Sequence, residues 1–414
     1  MKLTGKEGFT FMEGGVCAAK GFEANGLNCG LNPNKEKNDL GLVFCSVPCN
    51  TGAVYTQNKV KGAPILVTKK NLEASGGISR AIIVNSKNAN TCNADGEQKA
   101  ERMSQLAAEA LGIAKEEVIV ASTGVIGQVL PIGPIEAHME QLAEGLTVDG
   151  NERAANAIMT TDTVKKEVAV EFVLGGVTCR LGGMAKGSGM IHPNMATTLN
   201  FVTTDVAISS ALVQKALDEV VKVTYNCLSV DGDTSTNDTL TVMANGLAGN
   251  ACIKEENADY EIFKEALYIV LMNLTKMLAA DGEGATKLIT CVCDGAPDLD
   301  TGIVIAKSVI CSPLVKCAMY GADANCGRIM CAMGYAKTDC CVTKADVYYI
   351  SAAGKILVCQ DGNGLAFDED LAKEILMEDE IEIYVDLHQG DAKATAWGCD
   401  LTYDYVKING DYRS

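Results

Sequence analysis

The residues with the clearest chemical potential lie in one stretch, Lys186-Gly-Ser-Gly-Met-Ile-His-Pro-Asn-Met-Ala-Thr-Thr-Leu-Asn-Phe201. Glycines and a Pro193-Asn194 turn lead to Ala196, then to Thr197 and Thr198, and a strand-like run, Leu199 to Thr203, follows at once. A threonine that opens a strand after a tight turn can attack the carbonyl before it, cut the chain and become a new N-terminus. Its amine then sits beside its hydroxyl, so one residue supplies both base and nucleophile. Ala196 is small enough for close approach, Pro193 and Asn194 suit a strained turn, and Lys186 brings a positive charge eleven residues upstream. Threonine also favours strands, so the competing reading makes Thr197 and Thr198 ordinary strand residues.

Three further segments carry chemistry-bearing residues. Ser122-Thr123-Gly124 ends a strand in a hydroxyl and a glycine N–H side by side, the donors an oxyanion needs; a plain strand-to-turn exit reads the same way. Ser229 to Asp238 begins like a calcium loop, but Thr236 stands where that loop needs glycine and Val242 where it needs glutamate. A hydrogen-bonded polar loop beside a site, or a solvated turn, fits it better. In Asp281-Gly-Glu-Gly-Ala-Thr-Lys287, Glu283 between two glycines suits contact with a ligand amine, or simple solvation. Gly187-Ser-Gly189 matches neither nucleotide-loop pattern.

The elements that position these segments interleave. Apolar runs 40–47, stopped by Pro48, and 81–84 read as buried strands within a first stretch, 12–70, of strands and loops. Helical spacing marks 98–112, 134–144, 151–159, 209–227 and 259–279. Strands are expected at 117–122 and 239–243, and a hairpin at 166–180 around Gly175-Gly176. Alternation of this kind predicts α/β layers.

Bulk properties narrow the function classes. A net charge of −18 argues against nucleic-acid and anionic-membrane partners, although one lysine can reverse the sign inside a pocket. No apolar leader or membrane-length apolar run is seen, which predicts a cytoplasmic protein. Eighteen cysteines contain no Cys-x-x-Cys pair and are accompanied by three histidines. Reduced, structural thiols are therefore expected, with no metal site.

Taken in order, the motifs resemble the ornithine acetyltransferase (glutamate N-acetyltransferase) family almost end to end. They are Gly14-Gly-Val16 with Lys20-Gly-Phe22, Asn85-Ser-Lys-Asn-Ala-Asn90, Ser122-Thr-Gly-Val-Ile-Gly127, Ala157-Ile-Met-Thr-Thr-Asp-Thr163, Lys186 to Leu199, Ser229 to Thr239, Asp281 to Lys287 and Asn409-Gly-Asp-Tyr-Arg-Ser414. Where relatives typically carry aliphatic residues, several positions such as Cys45 are thiols; where many carry methionine, Thr198 stands.

The resemblance implies a layered α/β/β/α sandwich with a smaller C-terminal α/β part at about 290–414. It implies self-cleavage between Ala196 and Thr197 into chains 1–196 and 197–414, two of each forming a heterotetramer. Thr197 would carry the acetyl group of N-acetylornithine to glutamate by a ping-pong route. Thr123 and Gly124 would form the oxyanion hole, and Thr160, Lys186, Thr197, Glu283, Asn409 and Ser414 would contact substrate. No bound cofactor is implied, and acetyl-CoA as a second donor stays open. The rivals are a self-processing aminopeptidase or amidase that passes its acyl group to water, and a non-enzymatic scaffold of similar fold.

Overall fold

The computed structural model describes residues 2–192 and 198–410. Its first nine-stranded sheet owes its shape to one long strand, Leu40–Tyr55. The first part of this strand, Leu40 to Cys45, is flanked by Phe22–Leu27 and Ile78–Asn85, both antiparallel. Its last part, Asn50 to Tyr55, pairs antiparallel with Thr239–Ala244. The expected stop at Pro48 is corrected: the strand runs through it. The ladder slips there instead, with Phe44 opposite Ala81 but Cys49 opposite Ser79. Proline lacks the N–H a ladder needs and is tolerated at such a bulge, which also bends the strand.

The bend folds the sheet onto itself. Val43, Ile82, Val84 and Ile119 from one half share an apolar cluster with Met184, Leu199, Phe201 and Met243 from the other. The alternate residues Ala81, Ile83, Val118 and Val120 face outward, as the period of two requires, and are covered by helices Ala63–Ala74, Gly96–Leu111 and Ile132–Glu144. On the opposite side, Val168, Val170, Val202 and Val242 are covered by helices Ser210–Lys222 and Ala258–Ala280. This is the α/β/β/α layering expected.

A second sheet of seven strands is built mainly from Leu288–Ala296, Asp346–Ser351, Gly354–Gln360, Glu380–Asp386 and Ala392–Cys399. Helix Leu299–Cys311 packs on it, and the long helix Ala258–Ala280 touches both sheets. Two further expectations are corrected. Residues 12–70 are not all strands and loops, because helix Ala63–Ala74 starts there with Pro64 in its first turn, a position where proline costs nothing. The helix expected at 209–227 ends at Lys222, and a tight turn, Tyr225–Cys227, follows. All eighteen cysteines are free thiols, half of them buried. No single helix among the described residues is long and apolar enough to cross a membrane.

Several chain ends of the first sheet meet at one place. Strand Val177–Lys186 ends there, with Lys186 opposite Leu199 and Leu199 opposite Thr239, where two neighbouring strands begin. The second sheet brings in the loop before Leu288–Ala296 and helix Tyr403–Asn409 after its last long strand.

Candidate active site

Thr123 leaves the strand Val118–Ser122 and packs against the loop that follows Ile78–Asn85. Its N–H donates to the Asn85 carbonyl at 3.0 Å, and the Val125 N–H donates to the Lys87 carbonyl at 3.1 Å. Between them, the Gly124 N–H meets no backbone carbonyl among the described residues. Gly124 has φ +130°, and a Cβ there would lie 2.2 Å from the Lys87 carbonyl carbon. Only glycine fits, which is how the main chain passes close enough to present its N–H. The Lys186 ammonium donates to Thr123 Oγ1 at 3.3 Å, leaving the threonine's own proton free to point elsewhere. Asn237 fastens this corner from behind, donating to the carbonyls of Ala89 (2.6 Å) and Ser122 (2.9 Å).

A cavity of about 110 Å³ opens in front of these groups, lined by Thr123, Gly124, Thr160, Lys186, Glu283 and Asn409 among others. Its charges are opposite. Burial pushes the Lys186 pKa down, against the pull of Asp162, Asp238 and Glu283. The Glu283 N–H donates to the Ser188 carbonyl at 2.9 Å, and its carboxylate accepts from Asn409 Nδ2 at 2.6 Å. Gly189 lets the two loops cross, because a Cβ there would fall 2.3 Å from the Glu283 carboxylate.

A buried ion cluster ties these loops together. Lys166 Nζ donates to Asp162 at 2.7 Å and to Asp281 at 2.6 Å, with the lysine side chain wholly inaccessible. Asp162 also accepts from the N–H groups of Gly187 (2.6 Å) and Thr160 (3.0 Å). Asp281 accepts from both the N–H and the hydroxyl of Thr163, and its carbonyl accepts from Ser188 Oγ at 2.6 Å. Burial alone would raise the Asp162 pKa, but the charges of Lys166 and Lys186 outweigh it and hold the group at about 2.

Asp238 is a second buried carboxylate whose charge is felt at Lys186. Its Oδ1 accepts the Thr198 N–H at 2.7 Å, while Oδ2 is buried with no hydrogen-bond partner among the described residues. Burial raises its pKa to about 8, more than Thr198, Ser235 and Lys186 lower it. Thr198 itself has φ +71°, a sparsely populated region for a β-branched residue. The Ser229-to-Asp238 segment is the hydrogen-bonded loop expected. Asp231 accepts from the N–H groups of Met190 (2.6 Å) and Ile191 (2.9 Å), and Ser235, Thr236 and Asn237 line the cavity.

Comparison with known proteins shows the family of the chain. The ArgJ family model matches residues 23–414. The arginine biosynthesis bifunctional protein ArgJ 1 of Clostridium acetobutylicum is 49% identical over 394 residues, covering 95% of this chain and 96% of the relative. The Bacillus subtilis arginine biosynthesis bifunctional protein ArgJ is 46% identical, covering 97% of each. The chain belongs to the ArgJ family. It is therefore an enzyme, an acyltransferase of arginine biosynthesis. Among solved structures, the ornithine acetyltransferase of Mycobacterium tuberculosis complexed with ornithine aligns at TM-score 0.42 and 36% identity, over 45% of this chain and 100% of that one.

Of the site residues expected from sequence, this ArgJ-family chain brings Thr123, Gly124, Thr160, Lys186, Glu283 and Asn409 around one cavity. Ala196, Thr197 and Ser414 lie outside the described residues. Sequence reasoning missed Asp162, Lys166 and Asp281 as a cluster, and missed Asp238 and Asn237 as individual anchors. A lysine four residues after an aspartate at the start of an apolar strand was the available signal for the first two. The last two close a polar run immediately before a strand, where side chains cap exposed N–H groups.

Proposed function

We propose that this chain transfers the acetyl group of N2-acetylornithine to glutamate through an acetyl ester on Thr197. In this reading the chain cuts itself between Ala196 and Thr197. Pieces 1–196 and 197–414 stay together, about 290–414 forms the C-terminal α/β part, and two pairs assemble as a cytoplasmic heterotetramer. The scheme uses no metal or organic cofactor; acetyl-CoA enters only as a second acyl donor.

The observation that carries the reading is that a cation, Lys186, and an anion, Glu283, line one small cavity whose wall also holds Thr123 and Gly124. An amino acid with a charged side chain needs both signs: Lys186 meets its α-carboxylate, and Glu283, held by Asn409, meets the side-chain ammonium of ornithine. Thr160 and Ser414 complete the substrate contacts. The Thr197 hydroxyl attacks the acetyl carbon while its α-amine, with an ordinary pKa of about 7.7–8.0, takes the proton. The negative charge that develops on the acetyl oxygen is met by the Thr123 hydroxyl and the Gly124 N–H. The C–N bond breaks, ornithine leaves with that proton, and the glutamate amine then attacks the ester and restores the threonine.

Incubation with N2-acetylornithine and glutamate should yield N-acetylglutamate, and free acetate as the main product would replace the transferase reading with a hydrolase. Intact mass spectrometry should find two chains in the wild type and one in Thr197→Ala; cleavage that survives the substitution would remove Thr197 from self-processing.

A further inference from the structure

The reaction above takes its base from the α-amine of Thr197, but that amine exists only once the chain is cut. In the uncut chain the same nitrogen is a peptide N–H, a donor and not a base. Self-cleavage therefore needs a different group, one that takes the hydroxyl proton of Thr197 and returns it to the departing nitrogen. Three titratable residues are candidates. His192 is hydrogen-bonded through Nδ1 to Ser229 Oγ at 3.1 Å. Burial, and then the charge of Lys307, hold its pKa at about 4, which makes it a poor base. The Lys186 ammonium donates to Thr123 Oγ1 and so serves the oxyanion corner.

Asp238 fits the task. Its Oδ1 accepts the N–H of Thr198, the residue joined to Thr197, at 2.7 Å. The Thr239 N–H donates to the Thr198 carbonyl at 2.9 Å. Thr198 is thus clamped at both ends of its backbone, with φ +71°, a conformation that persists in a β-branched residue only where the surroundings enforce it. The other carboxylate oxygen, Oδ2, is buried and has no hydrogen-bond partner among the described residues; leaving such an oxygen unpaired is costly. Asp238 lines a space of about 30 Å³ together with Thr123, Lys186, Thr198 and Ser235. The acid, the oxyanion hydroxyl and the residue after the nucleophile therefore share one small volume. Lys186 is the charged neighbour that bears on Asp238, and the Thr198 N–H and the Ser235 side chain are the polar ones; burial outweighs all three.

We propose that Asp238 is the proton carrier of self-cleavage: its free oxygen takes the Thr197 hydroxyl proton and hands it to the Thr197 nitrogen. Oδ1 is committed to Thr198, so one oxygen performs both transfers in turn, and the ionised form starts the cycle. Thr197 Oγ bonds to the Ala196 carbonyl carbon as its proton passes to Oδ2. The negative charge on the carbonyl oxygen is met by the Thr123 hydroxyl and the Gly124 N–H. The C–N bond then breaks, the carbonyl re-forms, and Oδ2 gives its proton to the nitrogen. An ester of Ala196 on Thr197 and a free amine result. Water hydrolyses the ester, with the new amine as base, and releases the Ala196 carboxylate and the Thr197 hydroxyl. The proposal rests on the reading that the chain cuts itself at Thr197, and adds the group that lets it do so.

The test follows the full chain of 414 residues after cell-free synthesis. Synthesis is stopped, the chain is diluted into buffers from pH 6 to pH 9, and loss of the uncut band is timed on denaturing gels. The wild-type rate should rise about tenfold per pH unit at the acid end and level off near pH 8, the value to which burial raises Asp238. Asp238→Asn keeps an acceptor for the Thr198 N–H but cannot carry the proton. It should be cut at least about a hundredfold more slowly, at a rate that does not change with pH. A smaller loss, or a slow rate that keeps the wild-type rise with pH, overturns the proposal and leaves Asp238 an anchor for Thr198. Should the asparagine chain misfold, seen as a urea midpoint below that of uncut Thr197→Ala, Asp238→Glu decides. Slower cutting that still rises with pH supports the proton carrier; no cutting, or cutting at a rate independent of pH, overturns it. A wild type that stays uncut, or a Thr197→Ala chain that is cut, removes self-cleavage at Thr197 itself, which is a separate failure.

Discussion

Two buried aspartates flank Lys186 and are held in opposite ways. Asp162 has a pKa of about 2, because Lys166 and Lys186 outweigh the burial that would raise it. Asp238 has a pKa of about 8, because burial outweighs the Thr198 N–H, the Ser235 side chain and the charge of Lys186. Each is almost inaccessible, so depth does not distinguish them; the neighbouring cations, and then the hydrogen bonds, do. Asp162 accepts from Lys166, Gly187 and Thr160, whereas one oxygen of Asp238 has no partner among the described residues. A fixed anion on one side and a titratable acid on the other is the pattern by which sites separate structural from proton-handling groups.

The strongest way to break the contrast is to take the cation from Asp162. In Lys166→Met the two carboxylates of Asp162 and Asp281 stay buried without their shared ammonium. Removing one partner of a buried ion cluster costs about 3–5 kcal/mol. The urea midpoint should fall accordingly, and the loops of Thr160, Gly187 and Glu283 should lose their common anchor, raising KM for the donor. A loss below about 1 kcal/mol would mean that the cluster is not what holds them.

The same contrast explains what was legible in the sequence. Thr123, Gly124, Lys186 and Glu283 each sit in a contiguous motif at the end of an element, where local residue types already speak of turns and exposed donors; Asn409 was reached only through the family resemblance. Lys166 and Asp281 are 115 positions apart, and nothing local links them; only the meeting of a hairpin with the end of helix Ala258–Ala280 does. Asp238 stood within a motif read as a polar loop, but its burial depends on three strands that start or end around it. The layering was legible from alternating strand and helix signals. The course of Leu40–Tyr55 was not, because Pro48 is a stop by every local rule and a bulge only in the presence of Ile78–Asn85.

A smaller effect, and one that sharpens the comparison, is expected from Asp238→Asn. The unfolded carboxyl titrates near its ordinary value of 3.8 and the folded one at about 8. Between these values the folded state holds a proton that the unfolded state has released, so wild-type stability falls as pH rises through this window. The amide cannot ionise but keeps an oxygen to accept the Thr198 N–H. The variant should therefore gain on the wild type between pH 5 and pH 8, by at least about 1 kcal/mol given up to about 1.4 kcal/mol per unit. Asp162 predicts the opposite limb: its pKa lies below the ordinary value, so its contribution is complete above pH 4 and fades only as pH falls towards 2. Urea melts at pH 5 and 8 for wild type, Asp238→Asn and Asp238→Ala separate the terms. The alanine variant shares the loss of charge but also loses the acceptor for Thr198, and it should lie below the asparagine variant by about 1 kcal/mol at both pH values. A wild type and asparagine variant that keep a constant difference across the window would show Asp238 to be ionised throughout, and the two aspartates to be alike after all.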